Sequence, residues 1–296
     1  MNLETYLATK VELVNRALDS CLPPENTYPP VVHQAMRYSV FSGGKRLRPV
    51  MVLATAEAMG GTAEMVMPYA CAVELLHTYS LIHDDLPAMD NDDYRRGKPT
   101  SHRTFGEANA ILAGDALLTY TFALLAHHLA DTEQEANRGL QVIAELAEAA
   151  GSCGLIGGQV MDLEAEGGNL DAAVLDYIHQ HKTGALFRAT VRGSAILCGA
   201  TPEQMNALNV YSENLGLAFQ IKDDILNVTG DSRKLGKSTG SDSKRQKVTY
   251  PALYGLDNSK LAVREYSLKA VASLASFGET ARWLRELALY LVNRDH

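Results

Sequence analysis

The chain has 296 residues, 46% hydrophobic and 21% charged, a globular balance with enough sequence for one large domain or two ordinary ones. Its formal net charge of −8 argues against a nucleic-acid partner, because phosphate backbones are bound through basic stripes. No apolar stretch approaches the roughly 20 residues of a membrane span, and residues 2–20 pattern as an amphipathic helix rather than a secretion signal, so no membrane span and a cytoplasmic location are expected.

Helices are expected over 2–20, 30–41, 47–60 and 63–86, then over 107–129, 133–150, 152–166, 171–199 and 202–229, and finally over 246–255, 258–275 and 279–293. The first two are followed by Ser42-Gly43-Gly44-Lys45-Arg46-Leu47-Arg48-Pro49, a short basic turn able to grip an anion without metal. No proline occurs between residues 100 and 201, and that stretch is rich in Ala, Leu and Glu, with Leu112, Ala116, Thr119, Ala123 and Ala126 at helical spacing. Thr62, Asp171, Thr201 and Glu279 stand where helix starts are expected, Thr201 before a proline suited to the first helical position. Gly230, Gly236 and Gly240 break up the polar run after residue 229, which reads as a loop able to close over a bound molecule. Period-two alternation is nearly absent, and the chain reads as one all-α domain over residues 1–296. Cys21, Cys71, Cys153 and Cys198 stand singly with no CxxC spacing, which predicts buried, reduced thiols.

Two aspartate clusters end apolar runs rather than lying in acidic surface sequence: Asp84-Asp85-Leu86-Pro87-Ala88-Met89-Asp90 and Asp223-Asp224-Ile225-Leu226-Asn227. Carboxylates in apolar sequence are costly unless a cation compensates, and sparse aspartates suit Mg²⁺, which is held by one or two carboxylates plus substrate phosphates. A spacing of six leaves Asp84 and Asp90 about 120° apart on an ideal helix. Pro87 disfavours helical geometry at Leu86, so the helix is expected to end or bulge there and return Asp90 to Asp84. Asp223 and Asn227, four apart, share a helix face. Arg95-Arg96 follow the first cluster and Lys237 the second, as a diphosphate requires. His77 taken alone is a packed core histidine; seven residues before Asp84, it also falls two turns away on one face.

The ordered set GGKRLRP, ELLHTYSLIHDDLPAMDNDDYRRGKPTSH, FGEANAILAGDALL, GLIGGQVMDLEAEG, HKTGALF, LGLAFQIKDDILNVTGD, GKSTGSD and KVTYPAL resembles the trans-prenyltransferases, above all bacterial farnesyl diphosphate synthases, over nearly the whole chain. The resemblance implies a helical bundle around a central cavity, the type I isoprenoid synthase fold, acting as a homodimer on isopentenyl, dimethylallyl and geranyl diphosphates. It makes Asp84, Asp90 and Asp223 Mg²⁺ ligands, with Asp85 and Asp224 one contact further out. It assigns Lys45, Arg48, His77 and Arg96 to the isopentenyl diphosphate. It assigns Arg95, Lys182, Thr183, Gln220, Lys237 and Lys247 to substrate binding, with Lys182, Thr183 and Gln220 also catalytic. Gln159 and Asp162 would support these from behind, and Asp115 would be a structural hydrogen-bonding residue. Asn227 departs from the family's usual aspartate and removes one charge from the metal environment. Tyr79, five residues before Asp84, and the small Ser80 imply a fifteen-carbon product, with Tyr79 pointing into the cleft as the stopper. A geranylgeranyl diphosphate synthase is the alternative. A terpene cyclase needs no isopentenyl grip, so Lys45, Arg48 and Arg96 count against it, and a non-catalytic partner subunit could dispense with the aspartates kept here.

Overall fold

A computed structural model describes residues 1–128, 133–167, 171–229, 247 and 249–293. Lys237, the glycine-punctuated run 230–246 and Arg294 lie outside the described residues. The helices are α1 Leu3–Cys21, α2 Pro30–Val40, α3 Leu47–Ala58, α4 Ala63–Asp84, α5 Ser101–Phe105, α6 Glu107–His128, α7 Glu133–Ala150, α8 Leu155–Glu164, α9 Ala172–Ile178, α10 Ala185–Leu197, α11 Pro202–Thr229, α12 Tyr250–Tyr254, α13 Leu256–Ser273 and α14 Arg282–Asn293. The fold is all-α, as the sequence predicts. Two residues each of β1, Tyr94–Arg95, and β2, Lys98–Pro99, add a minimal antiparallel hairpin that the sequence reading did not anticipate. Arg96 and Gly97, both at positive φ, form its turn, the geometry that two-residue hairpin loops favour.

Two apolar layers share α3 and α10. One face of α3, with Val52, Leu53 and Ala56, packs toward α4, α6 and α7; the other, with Val50, Met51 and Ala54, packs toward α11 and α14. Backbone carbonyls in this core are tied by side chains from other elements, Ser194 Oγ to Val52 O at 2.7 Å and Tyr211 OH to Leu284 O at 2.8 Å. Gly193 is required at the α4–α10 contact, because a Cβ there would stand 2.2 Å from the ring of Tyr69.

The expected helix over 171–199 is three pieces, α9, a π turn over His179–Gly184, and α10. Glu279 does not start a helix; it lies in a 3₁₀ segment, Ala275–Ala281, broken by Gly278 at φ 57° and ψ −142°. Thr201 and Gln204 do close a reciprocal cap, and Asp171 Oδ1 accepts from Ala173 N, but the side chain of Thr62 makes no cap bond. In α6 the buried face carries Ala110, Ala113, Leu117 and Leu124, and Leu112 and Thr119 face outward, because a helix apolar nearly all round leaves its periodicity uninformative. Cys71 is buried, Cys21 and Cys198 are half-buried, and Cys153 is exposed, contrary to its predicted burial; it precedes α8 in a turn.

Three helical stretches, Ala63–Asp84, Glu107–His128 and Ala136–Glu164, are long and apolar enough to cross a membrane by length and composition, contrary to the sequence reading. In α4 that apolar window is 72% buried inside the fold, as a helix at the centre of a large core should be.

Candidate active site

The C-terminal ends of α4 and α11 face each other across a cavity of about 330 Å³. From the first side come Ser80, Asp84 and Asp90; from the second come Gln220, Asp223, Asp224 and Asn227. The two aspartate motifs, more than a hundred residues apart in sequence, therefore meet.

Local structure explains how Asp90 gets there. Helix α4 stops at Asp84, and the chain turns so that Asp90 N donates to Asp84 O at 2.8 Å and Asn91 N to Leu86 O at 3.0 Å. Asn91 adopts φ 48° to complete the reversal. The chain then runs into the β1–β2 hairpin, whose Arg95 grips buried Asp85 through Nε at 2.8 Å and NH2 at 2.6 Å. Asp85 does not line the cavity, which fits its expected place one contact behind the metal ligands.

The hairpin also delivers Arg96 to the basic turn. Arg96 NH1 bonds Gly43 O, and a Cβ on Gly44 would stand 2.5 Å from its guanidinium carbon. Arg46, which the sequence reading left without a role, anchors the turn from inside: it is 3% exposed, at φ 49°, and bonds Glu74 at 2.7 Å and Asn15 at 2.9 Å. This leaves Arg48 and Arg96 on the cavity wall and Lys45 exposed at the turn, outside the lining. The Arg48 guanidinium lies 4.9 Å from the Phe187 ring centroid and 3.3 Å from His77 Nε2. Burial pulls Arg48 down to about 10, still charged at neutral pH. Burial, then Arg48 and Arg96, hold His77 well below its ordinary value. His77 is thus neutral and accepts from Arg48, and it lines the cavity together with Asp84, seven residues on, as their spacing predicts.

On the opposite wall the π turn presents Lys182 and Thr183. It lies directly against α8, where a Cβ on Gly158 would stand 2.1 Å from Lys182 N. Single π turns recur at functional sites. Thr183 Oγ1 donates to Gln220 Oε1 at 2.7 Å, Gln220 Nε2 to Asp224 Oδ1 at 3.1 Å, and Tyr250 N to Asp224 Oδ2 at 2.9 Å. Asp224 is therefore committed to protein partners, as an outer aspartate should be. Lys182 and Lys247 both reach Asp162 Oδ2, at 2.6 and 3.0 Å, and Lys247 also reaches Asp90 at 3.2 Å. Burial raises the Asp162 carboxyl, but the two lysines outweigh it and hold it below the usual range. Asp162 thus holds two of the site's lysines. Gln159 lines the cavity itself, and its amide bonds no neighbour among the described residues.

Tyr79 departs from expectation. It is 4% exposed, absent from the cavity lining, and packed edge-on against His83 at 5.6 Å; Ser80 occupies the wall instead. A spacing of five rotates a helical residue about 140° from Asp84, so the two cannot share a face. Tyr79 lies in the layer behind the cavity. Asp115 is half-exposed and 3.8 Å from His83.

The carboxylates fit a divalent cation that arrives with its ligand. Burial, reinforced by Asp90 and Asp162, pushes the Asp84 carboxyl up despite Lys182 and Arg95, so the protein alone under-compensates its charge. Among the described residues no three His, Cys, Asp or Glu side chains form a ready chelate, and Mg²⁺ characteristically takes few carboxylates and fills its shell with water and phosphate oxygens.

A cavity lined by carboxylates, by guanidinium and ammonium groups and by apolar Leu155, Leu175 and Ile178 suits an enzyme that handles diphosphate esters of hydrocarbons. Residues 29–279 match the polyprenyl synthetase family. The chain is 50% identical to a dimethylallyltranstransferase of Fischerella ambigua over 296 residues, covering 100% of this chain and 84% of that one. It is 46% identical to a geranylgeranyl diphosphate synthase of Cyanophora paradoxa, covering 100% and 97%, and 46% identical to a farnesyl diphosphate synthase of Geobacillus stearothermophilus, covering 100% and 99%. It superposes on the crystal structure of an FPP/GFPP synthase from Zymomonas mobilis with a TM-score of 0.86 at 36% identity, covering 98% and 99%. The chain belongs to the polyprenyl synthetase family, and its activity is that of a trans-prenyltransferase.

Proposed function

We propose that the chain condenses isopentenyl diphosphate with dimethylallyl or geranyl diphosphate and stops at farnesyl diphosphate. What supports the product length is Tyr79, a large buried ring in the layer behind the wall that bears Ser80 and Asp84, which a tail longer than fifteen carbons would have to displace. Relatives that make the longer geranylgeranyl product are equally similar, which keeps a twenty-carbon product as the second reading.

Asp84, Asp90 and Asp223 would hold Mg²⁺, which as a Lewis acid stabilises the charge on the departing diphosphate. Arg95, Lys182 and Lys247 bind the allylic diphosphate from the protein side, using guanidinium and ammonium groups that line the cavity and that Asp85 and Asp162 hold in place. Arg48, neutral His77, Arg96 and, at the rim, Lys45 bind the isopentenyl diphosphate. Thr183 and Gln220, fixed to each other, present oxygen atoms to the allylic carbons as positive charge develops there. The allylic carbon–oxygen bond breaks with its electron pair leaving on diphosphate, and the isopentenyl double bond attacks the allylic carbon. The proton lost afterwards goes to the released diphosphate, the group nearest to it in charge and position.

The test is incubation with Mg²⁺, labelled isopentenyl diphosphate and geranyl diphosphate, followed by chromatography of the dephosphorylated product. Farnesol is expected; geranylgeraniol as the main product would favour the second reading, and no incorporation would refute prenyl transfer.

A further inference from the structure

Gln159 lines the cavity, is 9% exposed, and has no hydrogen-bond partner for either Oε1 or Nε2 among the described residues. Buried amides are normally bonded, and an unmatched one is costly. Among the described residues no group matches this amide, which leaves it available to a bound molecule.

Position defines that partner's chemistry. Leu155, Gln159 and Asp162 follow one another at spacings of four and three along one face of α8, and all three line the cavity. At the Asp162 end stand Lys182 and Lys247, whereas the side chain one turn before Gln159 is the apolar Leu155. Gln159 therefore sits between ammonium groups suited to a charged head and an apolar stretch of wall. Gly158 beside it touches the Lys182 backbone, which fixes this stretch of α8 against the π turn.

We propose that Gln159 is a further catalytic residue, its amide dipole spanning the breaking bond with Oε1 toward the allylic carbon and Nε2 toward the departing diphosphate oxygen. The amide exchanges no atom: the electron pair leaves with diphosphate, positive charge spreads over the allyl group, and both ends of the dipole become matched only as these charges separate. Interactions made only at that stage raise kcat rather than substrate affinity. This assignment rests on the prenyl-transfer reading above.

The test uses the full-length Gln159→Leu and Gln159→Met variants beside wild type, with thermal unfolding as a control for folding. Two probes report binding: the non-ionising thiolodiphosphate analogue of geranyl diphosphate, and an ammonium analogue of the geranyl cation with inorganic diphosphate. The expected result is a fall in kcat of about 100-fold, with KM and thiolodiphosphate affinity within about threefold of wild type and cation-analogue affinity lowered at least tenfold. Equal loss for both probes, or no loss for either, in whichever variant folds, overturns the role of Gln159. Absence of turnover by wild type would instead overturn the prenyl-transfer reading itself, and this assignment with it.

Discussion

Lys247 and Asp90 are 157 residues apart in sequence and 3.2 Å apart in space, and the same ammonium reaches Asp162 at 3.0 Å. One lysine thus ties the loop after the first aspartate motif to α8. Two cations converge on Asp162, so its removal takes from Lys182 its 2.6 Å ion pair and leaves Lys247 to Asp90 and Glu166. Asp162→Asn is expected to cost about 3 kcal/mol of stability, as when one partner of a buried pair is lost, and to raise KM for the allylic substrate at least tenfold. Urea unfolding and steady-state kinetics check the two effects.

Tyr79→Ala empties a large buried site behind Ser80. A loss of about 3 kcal/mol is expected from the cavity, together with products longer than those of wild type. Product chromatography decides the matter. A folded variant that still stops at the wild-type length would remove Tyr79 from the control of chain length.

Gly158→Ala places a Cβ 2.1 Å from Lys182 N and 2.6 Å from Lys182 Cα. Backbone cannot swing aside as a side chain can, so α8 and the π turn must separate. About 1–3 kcal/mol of strain is expected, with kcat down by roughly 100-fold because small misplacements of catalytic groups are that costly. Calorimetry against turnover separates the two outcomes.

His77 predicts a pH dependence with a definite sign. Its folded-state value lies well below 6.5, through burial first and then Arg48 and Arg96. Below pH 6.5 the unfolded chain takes a proton at this residue that the folded chain refuses, so stability falls on acidification from there down to the folded value. Above pH 6.5 the residue contributes no slope. His77→Gln is expected to remove up to about 1.4 kcal/mol per pH unit of that slope, read from urea midpoints between pH 5 and 8.

The first aspartate motif was legible because its cause is local: Pro87 ends α4, and the reversal at Asn91 follows within a few residues. The Thr201–Gln204 cap was legible for the same reason. The π turn was not, since His179 to Gly184 carries no breaker before its last residue, and the backbone it packs against, at Gly158, belongs to another helix. The exposed face of α6 was misjudged because hydropathy there barely varies around the helix. Tyr79 was misplaced for a simpler reason, that a five-residue step is not a helical repeat. The place of Gln159 on the cavity wall and the anchoring role of Arg46 were not legible, because neither an unmatched amide nor a buried guanidinium leaves a mark in sequence; only the surroundings reveal them.

The relay from Thr183 through Gln220 and Asp224 ends on a main-chain amide, that of Tyr250 at the entrance to α12. Among substitutions only proline removes a main-chain N–H, so this terminus is insulated from drift to any other side chain but not from shifts of the segment bearing it. Random mutagenesis should accordingly recover inactive clones clustered around residues 249–251, remote from the bond being broken, whose defect is one of alignment and whose folding is intact.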